Sequence, residues 1–326
     1  MVQDPALGNT YRSDDPSALP SAIGVREDLY DVISRISPTD TPFYSNSTKN
    51  TAKNTIFDWL VIELASPDTT NRNPEGFEAT IEAARKPTRL NNHTQILAKT
   101  GSVSGTMESV DKAGRAKEYR YQQMLKGLEI RRDLEAILTF DQAKDPNDPR
   151  AMGSFSAYVT NVSQGATAAP PAGDGTDVPT AGTPRDLSLT LIEDVMQLCY
   201  EEGGSPGSMY FSPTQKRTFS GLAGSSSLAA ENRFNMTARE PATYIGAVDV
   251  FLTDFGTLNC VIDRFMPPDR VYLVDRDWCD TMNLPGRNFT SERLAKTGDS
   301  EKFEIVGEFS LRIRAPKAHG AIYDLT

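Results

Sequence analysis

From residue 107 to residue 144 the chain carries no proline and is rich in Ala, Leu, Glu, Lys, Arg and Gln. These residues lose the least entropy on entering a helix. As one helix the stretch would be roughly 50 Å long at 1.5 Å per residue, well beyond an ordinary globular helix. Pro146 and Pro149 forbid continuation. Its apolar residues form two stripes: Tyr121, Met124, Leu125 and Leu128 share one face, and Ile130, Leu134 and Ile137 lie nearly opposite. A helix that changes its buried face midway crosses between two packing partners. Only one other element matches its length. Residues 303–314 alternate apolar and polar for most of their run and predict a strand of about 40 Å. The helix is expected to lie across the closing strands.

The rest of the chain supplies the other parts of an α+β architecture. Residues 1–24 are rich in Pro, Ser, Asp and Gly and read as an arm. Leu29, Val32, Ile33 and Ile36 predict a short helix that Ser37-Pro38 ends. Phe43 and Tyr44 follow in a turn, and serve either as docking residues for another copy or as packing onto their own chain. Residues 54–64 and 93–104 predict two strands, joined by a long polar segment over 66–92 into an extended hairpin. In that segment Glu75, Glu78 and Glu82 come first, and Arg85, Lys86 and Arg89 follow. Either this is a solvated tip, or each block faces the opposite block of a neighbouring copy, where charge sets register and orientation.

Residues 154–182, low in complexity, are expected to form an exposed loop. A helix over 185–202 would bury Leu187, Leu191, Val195 and Leu198. A buried strand at 209–211 and a helix opened by Pro213 come next. Strands follow at 245–252, 258–262, 271–274, 281–283, 289–294 and 318–325. Lys296-Thr297-Gly298-Asp299-Ser300 reads as a hairpin turn with Gly298 at positive φ.

The signals for chemistry are sparse. There is neither a Gly-x-x-x-x-Gly-Lys-Ser/Thr nor a Gly-x-Gly-x-x-Gly, and no nucleophile elbow is expected. The only histidines, His93 and His319, stand far apart and read as ordinary polar surface residues. Cys199, Cys260 and Cys279 form no Cys-x-x-Cys pair and read as buried free thiols. No catalytic residue, cofactor or metal is expected. With 34 Lys and Arg against 44 Asp and Glu, net charge −10, the chain is a poor candidate for tight nucleic-acid binding. No apolar run approaches a membrane span, and the first residues lack a signal-peptide pattern, so synthesis in a cytoplasm is expected.

The order of these parts resembles the major capsid proteins of tailed bacteriophages, with the Hong Kong 97-like fold. The resemblance rests on residues 25–43, ending Ser37-Pro38-Thr39-Asp40-Thr41-Pro42-Phe43, and on Val103-Ser104-Gly105-Thr106 entering the long helix. Further matches are Val248-Asp249-Val250-Phe251-Leu252-Thr253-Asp254-Phe255-Gly256-Thr257-Leu258, then residues 294–302, then Ala318-His319-Gly320-Ala321. It implies an N-terminal arm (1–50), an E-loop hairpin region (51–104), a peripheral domain (105–146 with 263–326, its spine helix 107–144) and a mixed α/β axial domain (147–262). It further implies hexamers and pentamers of this chain forming an icosahedral shell, assembled in a bacterial host. The shell would enclose double-stranded DNA, contacted weakly and without sequence specificity. A portal protein would be a partner, and a decoration protein has a place. Few residues precede the arm motif, so a separate scaffolding protein is expected. Phe43, Tyr44, Glu75, Glu78, Glu82, Arg85, Lys86 and Arg89 are the candidate intersubunit contacts. The competing readings are a nanocompartment shell of the same fold housing protein cargo, and an enzyme of unrecognised type.

Overall fold

The computed structural model describes residues 37–79, 81, 83–112, 117–225 and 249–326. The expected arm helix at 29–36 lies outside them. In chain order come α1 (Pro42–Asn46), β1 (Thr48–Thr51), β2 (Ile56–Val61), β3 (Thr88–His93), β4 (Gln95–Ser104), α2 (Gly105–Ser109) and α3 (Glu118–Thr139). There follow β5 (Asn161–Ser163), α4 (Leu189–Glu201), β6 (Ser208–Phe211), α5 (Pro213–Ser225), β7 (Val250–Thr253) and β8 (Gly256–Ile262). The chain closes with β9 (Val271–Val274), β10 (Cys279–Asn283), β11 (Thr290–Leu294), β12 (Ser300–Ile313) and β13 (Gly320–Ile322).

Strand β12, 14 residues long, is the axis of a five-stranded sheet. Strand β4 pairs antiparallel along one edge, Ser300 opposite Ser104 through Phe309 opposite Gln95. On the other edge β11 and β10 follow one another, and β1 adds parallel to β10. Phe303, Ile305, Phe309, Leu311 and Ile313 of β12 are buried on one face, as a period of two requires. Helix α3 packs on that face: Tyr119 meets Phe303 edge-on at 5.2 Å between ring centroids, and Lys99 of β4 pairs with Asp133 at 2.7 Å. Gly101 lies opposite Phe303, and a Cβ there would come within 2.4 Å of the Phe303 ring. Gly101→Val therefore overpacks the sheet–helix contact, with an expected loss of about 1–3 kcal/mol, measurable by denaturant unfolding.

The expected single helix over 107–144 is shorter and interrupted. Val110 is extended (φ −71°, ψ 142°) and ends α2. Helix α3 runs only 22 residues, about 33 Å at 1.5 Å per residue. No side chain at Lys117 caps it. Instead Glu108, from α2, accepts the Glu118 and Tyr119 amides at 3.0 and 3.1 Å, satisfying first-turn donors and complementing the positive helix end. Those hydrogen bonds, the Tyr119 amide first, hold the Glu108 carboxyl below its ordinary value. The C-terminus comes before the prolines because tertiary partners take the backbone. The Tyr272 hydroxyl donates to Thr139 O at 2.9 Å, and Asp141 turns out to receive a bidentate contact from buried Arg270.

The second sheet has six strands, in the order β5-β13-β9-β6-β8-β7. Alternation along its central strands separates two cores. Met209, Phe211, Val271, Leu273 and Ile322 face Ile192, Val195, Met196 and Cys199 of α4 and Phe219 of α5. Tyr210, Tyr272, Val274 and Ala321 face the core shared with α3 and β12. Strands β9 and β13 come from 263–326, so the expected domain division at residue 263 runs through a continuous hydrogen-bonded sheet. Of the residues expected to be buried on α4, Leu187 and Val195 are, Leu191 is half-buried and Leu198 is exposed; Ile192, Met196 and Cys199 complete the buried stripe.

Three other expectations change. Residues 152–159 are buried, so the low-complexity segment begins inside the core, with Phe155 packed on Phe43, Tyr272 and His319. His93 and His319 are both buried. His319 Nδ1 accepts the Asp275 amide at 3.2 Å, and burial pushes its pKa down to about 3. The turn between β11 and β12 exists, but Gly298 is not among the positive-φ residues. Cys199 and Cys279 are buried free thiols, and Cys260 is half-buried.

Candidate assembly surfaces

Apart from the two larger sheets, β2 and β3 form a two-stranded ribbon of their own. Strand β2 pairs antiparallel with β3, Ile56 opposite His93 through Val61 opposite Thr88. Sequence reasoning took 93–104 as the partner of β2. From Gln95 on, that stretch is β4 and belongs to the body, and the second strand of the hairpin begins at Thr88, five residues earlier than expected. Phe57, Trp59, Val61, Leu90 and Asn92 share its inner face, and Trp59 packs on Tyr158 at 5.7 Å between centroids.

The root of the hairpin is fixed by buried polar groups. Asn92 Nδ2 donates to Leu311 O at 2.6 Å and to Gly153 O at 3.1 Å, while its Oδ1 accepts the Gly153 amide at 2.8 Å. The Tyr158 hydroxyl donates to Asn91 O at 2.7 Å, and Lys144 Nζ to Asn91 Oδ1 at 2.7 Å. Tyr158 fits because Gly153 and Gly175 flank it; Cβ atoms there would stand 2.9 and 2.5 Å from its ring. Gly175 is also at φ +86°, which favours glycine for a second reason. This junction was not anticipated. Two adjacent Asn residues in strand context, a composition that strands disfavour, were the available signal.

Beyond the root, residues 62–79 and 83–89 are exposed. Leu60 (65%), Leu64 (93%) and Ile81 (95%) carry apolar surface that the chain leaves uncovered. Glu75 and Glu78 are exposed beside Phe77 at a turn where Gly76 has φ +76°; Glu82 lies outside the described residues. The basic block is partly committed within the chain. Arg89, on β3, pairs across the hairpin with Asp58 and holds that carboxyl below its ordinary value. Arg85 donates to Glu63 O at 3.3 Å. Lys86 is exposed. Lys317 bridges Glu63 at 3.0 Å and Glu202 at 3.3 Å, tying the hairpin to the end of α4.

Phe43 is not a docking residue for another copy. It is buried between Phe155 and Tyr210, at 5.6 and 5.3 Å between centroids. Tyr44 is half-buried edge-on to Phe289 and Phe309, with Lys49 Nζ 3.8 Å from its ring centroid. The two stripes of the long helix differ in kind. Ile130 and Leu134 are fully buried in the chain's own core, whereas Met124 is 50% exposed and Tyr121, Leu125 and Leu128 only half-buried.

Gly203-Gly204-Ser205-Pro206-Gly207 does spell Gly-x-Ser-x-Gly, against expectation. It runs from helix α4 into strand β6, the reverse of the strand-to-helix turn that exposes a nucleophile. Among the described residues no three His, Cys, Asp or Glu side chains are grouped to hold a metal, and no helix is long and apolar enough to cross a membrane.

Comparison with known proteins places this arrangement. The SU10 major capsid protein family matches residues 8–326. The major capsid protein of Escherichia phage Phieco32 is 30% identical, over 89% of this chain and 92% of its own. A chain of the capsid asymmetric unit of cyanophage A-1(L) superposes with a TM-score of 0.65 at 11% identity, covering 93% of this chain and 97% of that one. A chain of the holo-SrpI encapsulin complex of Synechococcus elongatus gives 0.55 at 8% identity, covering 97% and 96%. The solved structures share the Hong Kong 97-like fold with this chain. With its projecting hairpin, long helix and paired sheets, and with the match spanning nearly its whole length, the chain belongs to the SU10 major capsid protein family.

Proposed function

We propose that copies of this chain assemble as hexamers and pentamers into an icosahedral shell that encloses double-stranded DNA, and that the chain's work is structural rather than catalytic. The observation that carries this reading is the uncovered hairpin. A two-stranded ribbon is marginal alone in water, and apolar surface such as Leu60, Leu64 and Ile81 marks a contact with another molecule. A neighbouring copy supplies that contact in a closed lattice, where every chain is donor and acceptor at once. Residues 37–50 keep the role of an arm segment docked onto its own body, and 51–94 that of the hairpin. A separate scaffolding protein, a portal and a decoration protein act as partners, and assembly takes place in the bacterial cytoplasm.

The net charge of −10 suits a container whose polyanionic content is driven in and released without sticking. The nanocompartment reading differs in what is enclosed. Nuclease treatment of particles purified from infected cells, followed by extraction, separates the two. Protected double-stranded DNA is expected; particles holding protein cargo and no protected DNA would overturn the proposal.

A further inference from the structure

Two fully buried carboxyl groups meet beneath the short arm helix. Glu135 of α3 and Asp263, just past the end of β8, have no solvent exposure, and the two carboxyls lie close enough for each to shift the other's titration. Glu135 accepts the amides of Phe43 at 2.6 Å and Tyr44 at 2.8 Å. Those are first-turn amides of α1, whose own N-cap residue, Thr41, supplies no side-chain cap. The cap therefore comes from a different helix, across 92 residues of sequence. Asp263 Oδ1 accepts the Phe265 amide at 2.9 Å, and its Oδ2 meets no amide or hydroxyl donor.

Two acceptor-only carboxylates repel and cannot hydrogen-bond each other; one shared proton converts the repulsion into a bond. Those backbone amides favour the ionised forms, but burial outweighs them, and the charged groups around the pair add little. On α1 and β1, Tyr44 carries Lys49 over its ring, and Lys49 feels Glu135 only as a neighbouring charge while burial lowers its own pKa to about 8. On α3, Arg131 lies over Phe289 and Arg132 over Phe265. From the second sheet, the Tyr210 hydroxyl feels Glu135 as a neighbouring charge and is itself raised by burial. Arg270 is committed to Asp141 and Asp269, and Arg312 and Arg314 to Asp280.

We propose that the Glu135–Asp263 pair is a proton-gated latch: it holds arm helix α1 on the long helix while one proton is shared, and releases it when both carboxyls ionise. Release also undoes the seating of Phe43 between Phe155 and Tyr210, because the same turn carries both.

Burial, with Asp263 alongside, pushes Glu135 up to about 8, and burial raises Asp263 too. A pKa raised on folding stabilises fully below the ordinary value of 4.5 and loses that contribution as pH rises through about 8. Hydrogen exchange of the full chain tests this, reading peptides over residues 37–50 after correction for intrinsic exchange. The opening equilibrium of α1 should rise with pH, approaching about tenfold per unit for a single proton, and level off above about 8. Glu135→Gln, whose carbonyl still accepts the Phe43 amide, should remove the slope. Asp263→Asn, whose amide can donate to an ionised Glu135, should remove it independently and serves where the first variant does not fold. A pH-independent wild type, or an unchanged slope in the folded variants, would overturn the latch. Either result concerns local opening in the single chain and leaves the shell reading untouched.

Discussion

Phe155→Ala should cost the folded chain about 3–5 kcal/mol, the range for removing a buried aromatic ring without refilling its space. The side chain has no exposure. Its ring lies 4.7 Å from Tyr272, 5.6 Å from Phe43 and 5.5 Å from His319 by centroid, so one residue joins the arm helix, the six-stranded sheet and the C-terminal turn. The cavity cannot collapse easily. Tyr272 is held by its hydrogen bond to Thr139 O, and Phe43 by the capped turn at Glu135. Denaturant unfolding of the single chain reads the loss. Phe155→Leu should recover part of it, and Phe77→Ala, at the exposed hairpin tip, should fall within about 0.5 kcal/mol of wild type. A loss below about 1 kcal/mol for Phe155→Ala would mean that the three elements do not meet at this ring.

Reversing Glu75, Glu78 and Glu82 to Lys should abolish shell assembly while leaving the single chain folded. Glu75 and Glu78 lie on exposed loop backbone away from the body, so the variant has little folded structure to disturb. In a lattice the same reversal recurs at every copy. Like charges brought together at an interface cost several kcal/mol and misdirect register. The measurement pairs a thermal unfolding curve, expected unchanged, with particle yield by sedimentation, expected near zero. Normal yield would show that the acidic block has no docking role. The basic block makes a useful contrast: Arg89→Glu removes a pair within the hairpin stem, and should loosen the hairpin itself as well as any contact it makes.

Much of the architecture was legible because it depends on local periodicity. The long strand β12, strands β7 and β8, helix α5 opening at Pro213 and the helical core of α3 all follow from apolar spacing and punctuation. The misplaced parts depend on distant partners. The break between α2 and α3 is set by Glu108 folding back onto amides ten and eleven residues later; Gly114, a weak helix former, was the local hint. Strand β4 was assigned to the hairpin because alternation gives a face but not a neighbour. Its partner is chosen by β12, whose Phe303 fits over Gly101. Phe155 sits in a segment whose composition reads as loop, and only the shape of the assembled core gives it a place. On the candidate surface, the segregated charges of the hairpin were visible as types and positions. That Arg89 is already paired, and that Phe43 faces inward, are facts of tertiary packing.

In the proposed function, copies of this chain build a closed shell. Cryo-electron microscopy of the expressed chain, alone and with the scaffolding partner proposed above, tests it. Closed icosahedral particles are expected, with walls of hexamers and pentamers of this chain and each hairpin lying across a neighbouring copy. Protein that stays monomeric under those conditions, or particles whose hairpins touch no neighbour, would contradict the account.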